Sequence, residues 1–430
     1  MNLIEELRWR GMLQDIVPGT AEQLNKEMTS GYIGFDPTAD SLHIGSLVPI
    51  LLLMHLQKAG HRPVVLVGGA TGMIGDPSMK SEERNLLDEA TLAHNVASIQ
   101  RQLAAFLDFD TTKPNAAVMV NNYDWFKDIR FIDFLREVGK HITVNYMMAK
   151  DSVRKRIEGD TGISYTEFAY QLMQGYDFYW LYTHMGVKLQ MGGSDQWGNI
   201  TTGTELIRRM TGGQGEAFAF TCKLITKADG GKFGKTEKGN VWLDPARTSP
   251  YQFYQFWLNA ADNDAIKWIR IFTFLDRPEI EALEQQHSLE PGSRHIQKKL
   301  AEEVTRLVHG ETGLAFAKNA TALLFGNADK DTLLNMSETE LKQAMEGVPL
   351  HKWSLTELEN GTDVVSLLAG SGVFSSKGEA RKMIQGGGVL INRQKVESVE
   401  QKIDKDSLLH GKYLLAQKGK KNFFLIELEP

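Results

Sequence analysis

Cysteine is nearly absent from this chain of 430 residues, where Cys222 stands alone. A single thiol excludes a disulfide framework, and no Cys-x-x-Cys, His-Glu-x-x-His or EF-hand loop occurs that would build a protein metal site. The sequence therefore predicts no protein metal centre and suits a reducing compartment. Long apolar runs are missing too: nothing approaches the ~18 uninterrupted apolar residues of a membrane span. The opening MNLIEELRWRGMLQ carries acids and lacks a long apolar core, so a soluble cytoplasmic protein without an export signal is expected. Internal repeats and low-complexity tracts are also lacking.

What is present is a chain with 42% hydrophobic residues, long enough to bury more than one core. Its formal charge of −6 is unevenly spread. Residues 363–430 hold 11 Lys+Arg against 8 Asp+Glu, a net +3 that leaves −9 on residues 1–362. A basic terminal module on an acidic body points weakly toward an anionic partner and is equally compatible with ordinary surface variation.

Residues 32–36 and 63–68 are short β-prone runs, and SLVPILLLMHLQKAG between them is a helix-length apolar segment that stops at Gly60, so the pattern predicts a β-α-β unit. Ser46 is placed to cap this helix and Pro49 falls in its first turn, where a missing N–H is harmless. On that reading Ser46→Ala costs about 1 kcal/mol of helix stability. Residues 116–122 and 186–193 are further strand candidates separated by helical patterns, which predicts a mostly parallel sheet with ligands at its carboxyl ends. From about residue 246 the periodicity becomes helical, as at Leu300, Val304, Leu307 and Val308. Residues 326–362 mix polar turns with short apolar pieces and read as a connecting segment.

A glycine-bounded strand that runs straight into a helix start offers backbone N–H groups and a positive dipole end to an anion. His43 and Gly45 sit at that junction, where an imidazole can donate to a phosphate oxygen and a glycine allows a nucleotide close to the backbone. Alone, His-x-Gly at a helix start is an ordinary turn. The Gly-Lys-Thr at 234–236 is not a standard phosphate loop, because the position five before Gly234 is Asp229 and no long helix follows. Lys232 and Lys235 in GGKFGKTEKG describe instead a lysine-rich loop able to close over a polyphosphate.

In combination these segments are specific. GFDPTADSLHIGSL resembles the HIGH region of class I aminoacyl-tRNA synthetases, and KFGKT resembles their KMSKS loop. GGATGMIGDPS, YQLMQGYDF and GGSDQWGNI resemble, in order, further blocks of the bacterial tyrosyl-tRNA synthetase family, with similarity over essentially the whole chain. The resemblance implies an α/β architecture: a Rossmann-like parallel-sheet catalytic domain at 1–225 with a connecting insertion at about 115–185, a KMSKS-type loop and α-helical anticodon-region domain at 226–325, a linker at 326–362, and a small α+β S-four-like RNA-binding domain at 363–430.

It also implies roles. Tyr170, Gln174 and Asp177, spaced i, i+4, i+7 and hence on one helix face, would line a tyrosine pocket. Tyr170, Gln174 and Asp76 would bind the amino group, Asp177 and Tyr32 the phenolic hydroxyl, and Gln196 the substrate carboxylate. Asp36, Thr38, His43 and Gly45 would face ATP, with Thr38 and His43 on the polyphosphate. Gly193 and Asp195 would sit at the ribose, and Lys80, Arg84, Lys232 and Lys235 at the leaving pyrophosphate. Mg²⁺ would arrive bound through ATP phosphates. Ser46 departs from the signature, whose last residue is usually His.

In the tail, SSKGEARKMIQGGGVLINRQKV carries Lys377, Arg381 and Lys382 on a helix whose Ala380, Met383 and Ile384 face inward, with KGKKN at 418–422 adding charge. The resemblance implies that it meets RNA phosphates, that the partner is tRNA(Tyr), and that the protein is a homodimer. Two rival readings are a tryptophanyl-type synthetase and a synthetase-derived RNA-binding protein without adenylation activity. The Tyr32 and Asp177 pair argues against the first, and the retained His43, Gly45, Lys232 and Lys235 against the second.

Overall fold

The computed structural model describes residues 2–78, 87–159, 162–228, 230, 233–236, 239–325, 330–335, 337–345, 348–359, 361–419 and 422–429. They divide into two compact units, Met1–Arg247 with Ala260–Leu300, and Thr248–Asn259 with Ala301–Pro430.

The first unit is built on a six-stranded sheet: β1 (Leu13–Ile16), β2 (Ser30–Phe35), β3 (Arg62–Val67), β4 (Val118–Asn121), β5 (Val187–Gly193) and β6 (Phe218–Cys222), in the order β1-β6-β5-β2-β3-β4. All neighbours are parallel except the edge strand β1, which runs antiparallel to β6. The predicted strands and the mostly parallel sheet are present. Order is the new information: after β2 the chain builds β3 and β4 on one side and then returns to place β5 and β6 on the other. The crevice at the carboxyl ends of β2 and β5 is therefore the switch point where open α/β sheets bind ligands.

The crossover helix Leu47–Lys58 buries eight of its residues, from Leu47 to Leu56, as a helix covered on nearly all sides must. It stops where expected, with Gly60 in the left-handed region at φ 91°. Its start differs from the sequence reading. Ser46 occupies the N-cap position without a side-chain capping bond, because a 3₁₀ turn, Ile44–Ser46, precedes the helix and is itself capped by His43. Chain continuity through that turn supplies the helix with its first acceptors, so the Ser46 hydroxyl has no orphan N–H to satisfy. Helices Tyr165–Met185 and Trp197–Met210 complete the walls, the former capped by Ser164 accepting from the Glu167 N–H.

Along the long helix His295–Phe325, Leu300 is buried in the first unit and Val304 in the second. The helix is broken at Gly310, whose φ of 70° and ψ of −177° are non-helical. Residues 326–362, read from the sequence as a connection, contain helices Lys330–Asn335, Glu338–Ala344 and Leu355–Glu359 and the strand Leu350–Ser354. That strand lies parallel to Asn422–Glu429 at the edge of a five-stranded sheet. Five residues with weak alternation become a strand only through a partner some seventy positions away. The helix Lys377–Gln385 buries Ala380 and Ile384, packs Met383 partly against the same core, and leaves Lys377, Arg381 and Lys382 exposed. Lys420 and Lys421 of the terminal basic run lie outside the described residues.

Candidate active site

The switch-point crevice opens into a cleft of about 410 Å³. Tyr32, Asp36, Thr38, His43, Gly45, Asp76, Tyr170, Gln174, Asp177, Gly193, Asp195 and Gln196 all line it. Every predicted substrate-site residue outside the lysine-bearing loops thus reaches one cavity. Lys80, Arg84 and Lys232 lie outside the described residues, and of Lys235 only the backbone is described.

At the floor, Asp177 is 2% exposed and accepts hydrogen bonds from Asn122 Nδ2 at 3.1 Å and Trp125 Nε1 at 2.9 Å. Burial lifts its carboxyl to about 8 despite those two donors, since removing a charge from water costs more than two neutral bonds return. Beside it the Tyr32 hydroxyl is buried without a hydrogen-bond partner among the described residues, and the ring tilts against Phe178 at 5.4 Å. An unsatisfied buried hydroxyl next to a desolvated carboxyl is costly, and a hydroxyl-bearing ligand that both donates and accepts would relieve both groups. Trp125 is held in place by stacking on Trp180 at 4.3 Å.

At mid-depth the Tyr170 hydroxyl donates to Asp36 Oδ2 at 2.7 Å. Burial first, then the charges of Asp36 and Asp76, push the phenol well above its ordinary range, so Tyr170 stays a neutral donor. Gln196 Nε2 donates to Asp76 at 2.7 Å and to Asp195 at 2.9 Å. Asn199 Nδ2 donates to Gln174 Oε1 at 3.0 Å and lies 3.2 Å from Gln196 Oε1. Both Nε2 hydrogens of Gln196 are thereby given to carboxylates, and it must exchange one of them to meet a substrate carboxylate. Burial also raises the Asp195 carboxyl above its usual range.

At the rim, the Gly45 N–H donates to His43 Nδ1 at 3.0 Å. That bond fixes the neutral tautomer, leaving the proton on Nε2, where it can be offered to an oxyanion. It also gives Gly45 a local reason to be glycine, since a Cβ there would stand 2.8 Å from the His43 ring. The Lys-rich loop meets this element directly: Ile44 N–H donates to the Val241 carbonyl and Val241 N–H to that of Gly234, both at 3.0 Å. Gly234, at φ 81°, lies against Ile44. The two signature segments are thus joined through backbone, with the Lys235 main chain in a two-stranded ribbon with Asn240.

Asn122, Trp125, Thr71 and Asn199 are the residues that motif reading missed. Asn122 and Trp125 follow the carboxyl end of β4, which was the available signal, because residues just past parallel strands face the ligand crevice.

The chain matches the model of "tRNA synthetases class I (W and Y)" over residues 24–326 and that of the "Tyrosine–tRNA ligase SYY-like C-terminal domain" over 340–426. It is 60% identical over 429 residues, 99% of each chain, to a tyrosine–tRNA ligase of Bacteroides thetaiotaomicron. It is equally 60% identical, over 432 residues and 100% of each chain, to one of Porphyromonas gingivalis. Among solved structures, a C-terminally truncated mitochondrial tyrosyl-tRNA synthetase of Aspergillus nidulans superposes with a TM-score of 0.67 at 28% identity, covering 75% of this chain and 94% of that one.

Proposed function

Because the chain belongs to the class I tRNA synthetases of the tryptophan and tyrosine type, we infer that it is a tyrosine–tRNA ligase. It activates tyrosine with ATP to tyrosyl-adenylate and pyrophosphate, then transfers tyrosine to the terminal adenosine of its tRNA. The tryptophan alternative is not favoured, since relatives 60% identical over the full chain are tyrosine–tRNA ligases.

The observation that carries the substrate assignment is the floor of the cleft, where Asp177 and the unpartnered Tyr32 hydroxyl face each other's surroundings away from water. A phenol hydroxyl satisfies both groups, whereas a phenylalanine ring leaves them unpaired, a rule for which tyrosyl-tRNA synthetases are the worked example. Tyr170, Gln174 and Asp76 would hold the ammonium group, and Gln196 the carboxylate that attacks the α-phosphorus in line. That nucleophile is already ionised at neutral pH, so the enzyme's task is positioning and charge stabilisation. His43 Nε2 and Thr38 would meet the phosphates, Gly193 and Asp195 the ribose, and Lys80, Arg84, Lys232 and Lys235 the departing pyrophosphate. Mg²⁺ would come coordinated by ATP phosphates, because Asp36, Asp76 and Asp195 already accept hydrogen bonds from Tyr170 and Gln196.

For the rest of the molecule, Lys377, Arg381 and Lys382 would contact tRNA phosphates and the helices within 226–325 the anticodon region. A homodimer would cover Phe131, Ile132, Val144 and Tyr165, each more than half exposed. The protein would work in the cytoplasm. No helix among the described residues is long and apolar enough to cross a membrane.

The test is ATP–pyrophosphate exchange driven by tyrosine, phenylalanine and tryptophan in parallel. Exchange with tyrosine is expected, with phenylalanine only at high concentration and about 10⁵-fold lower in kcat/KM, and none with tryptophan. Exchange driven by tryptophan would reassign the floor of the cleft, and silence with all three would favour an RNA-binding scaffold.

A further inference from the structure

Between the phenol end of the cleft and the Asp36 carboxylate runs an unbroken line of side-chain hydrogen bonds. Its polarity is set by a backbone group. The Ala70 N–H donates to Asn122 Oδ1 at 2.7 Å, so the other atom of that amide must be Nδ2, and its two hydrogens point the opposite way. One goes to Asp177 Oδ2 at 3.1 Å and the other to Thr71 Oγ1 at 3.0 Å. Having accepted from Asn122, the Thr71 hydroxyl spends its own hydrogen on Asp36 Oδ1 at 2.8 Å. Asp36 Oδ2 then accepts from Tyr170. Asn122 is fully buried and Thr71 nearly so, which shields the two Asn122 bonds from exchange with water, while the two bonds to Asp36 are part-buried.

A glycine reports independently that this line is built into the backbone. Gly68 does not have a positive φ, yet a Cβ added there would overlap both Asp36 Oδ1 and Thr71 Oγ1. The residue between β3 and the following turn is thus bare where the Asp36–Thr71 bond crosses it.

We propose that Thr71 and Asn122 are positioning residues that couple phenol recognition at Asp177 to the placement of Asp36, so that the hydroxyl of the substrate is felt in the rate of adenylate formation as well as in binding. The proposal rests on the tyrosine-ligase reading of the same cleft. When a phenol hydroxyl engages Asp177, the share of that carboxyl group's hydrogen bonding carried by Asn122 changes. The amide is pinned by Ala70, so the change passes to Thr71 and thence to Asp36. Neither Thr71 nor Asn122 is required to touch a reacting atom.

The experiment is a cycle in which the substrate is one partner. Saturating kcat and KM for tyrosine- and phenylalanine-driven ATP–pyrophosphate exchange are measured for the full-length wild type, Thr71→Val and Thr71→Ser. Losing a hydrogen bond to a charged group predicts that Thr71→Val lowers kcat with tyrosine about tenfold and kcat with phenylalanine by less than about threefold, while KM for tyrosine moves less than about threefold. Thr71→Ser restores the hydroxyl and the tyrosine rate. Gly68→Ala, which parts the pair without deleting a polar group, should reproduce the Thr71→Val pattern, with thermal melting of each variant confirming the fold. Equal loss of kcat with both amino acids would overturn the coupling, as would a change confined to KM or a failure of serine to rescue. Failure of the underlying reading is seen separately, as no tyrosine-driven exchange by the wild-type protein.

Discussion

The floor and the rim of the cleft solve recognition in opposite ways. At the floor, Tyr32, Asn122 and Asp177 are buried, and the selectivity proposed there would come from polar groups whose partners have been rationed: one hydroxyl left unpaired among the described residues and one carboxyl held by two neutral donors. At the rim, Thr38 and His43 are exposed, and the polar groups on offer are an imidazole Nε2 oriented by Gly45 and a backbone-docked glycine loop. A neutral phenol is read by what desolvation makes costly to leave unpaired. A polyphosphate would be met by donors that tolerate water and by the lysines that the KFGKT segment carries.

That contrast predicts different kinetic signatures. Asp177→Asn should have the largest effect, lowering kcat/KM for tyrosine by about 10²-fold or more, because it alters a buried group at the proposed point of phenol contact. His43→Ala should lower kcat by about 10- to 100-fold while KM for tyrosine stays within about twofold, as expected for a donor used as charge develops on phosphate. Steady-state exchange kinetics on both variants break the comparison if the two signatures coincide.

The floor should also reveal itself through pH. Asp177 in the folded protein titrates at about 8 against an ordinary 3.8, so the native state keeps a proton that the unfolded chain releases above about pH 4. Stability from this group is therefore greatest at acid pH and declines as pH rises toward 8. Thermal melting of the wild type and Asp177→Asn across pH 5 to 8.5 should show the wild type losing ground to the variant, and a constant gap would remove desolvation from the account.

The smallest effect is expected at the rim, at Ser46. With no capping bond from its side chain, Ser46→Ala should change stability by less than about 0.5 kcal/mol and leave the KM for ATP within about twofold. This is below the roughly 1 kcal/mol of a true N-cap. A full cap-sized loss in a denaturation experiment would restore the serine's capping role.

Much of this site was legible from one dimension. The i, i+4, i+7 spacing of Tyr170, Gln174 and Asp177 specifies a shared helix face, and all three do enter the cleft. The apolar run before Gly60 specifies a buried crossover helix with its stop. The Ser46 cap failed for a local reason, because a 3₁₀ turn and a chain-continuous helix start look alike in sequence. Asn122 and Trp125 were passed over because neither belongs to a motif block, and their importance depends on which strand β4 pairs with.

Family resemblance carried by short motif blocks implied the class of chemistry and most of the residues that line the cleft, while periodicity and glycine placement by themselves determined the β-α-β beginning and the helix face shared by Tyr170, Gln174 and Asp177. Those last two are set within a few turns of chain, where spacing alone decides which side chains share a face. The tertiary structure decided which residue answers which. Tyr170 finds Asp36 across 134 positions and Asn122 finds Asp177 across 55, because the helix Tyr165–Met185 packs across β2, β3 and β4, its Phe178 and Leu181 sharing a core with Tyr32, Leu66 and Val120. Strand order brings those partners together, and burial then sets their charge states, two properties that no local pattern encodes.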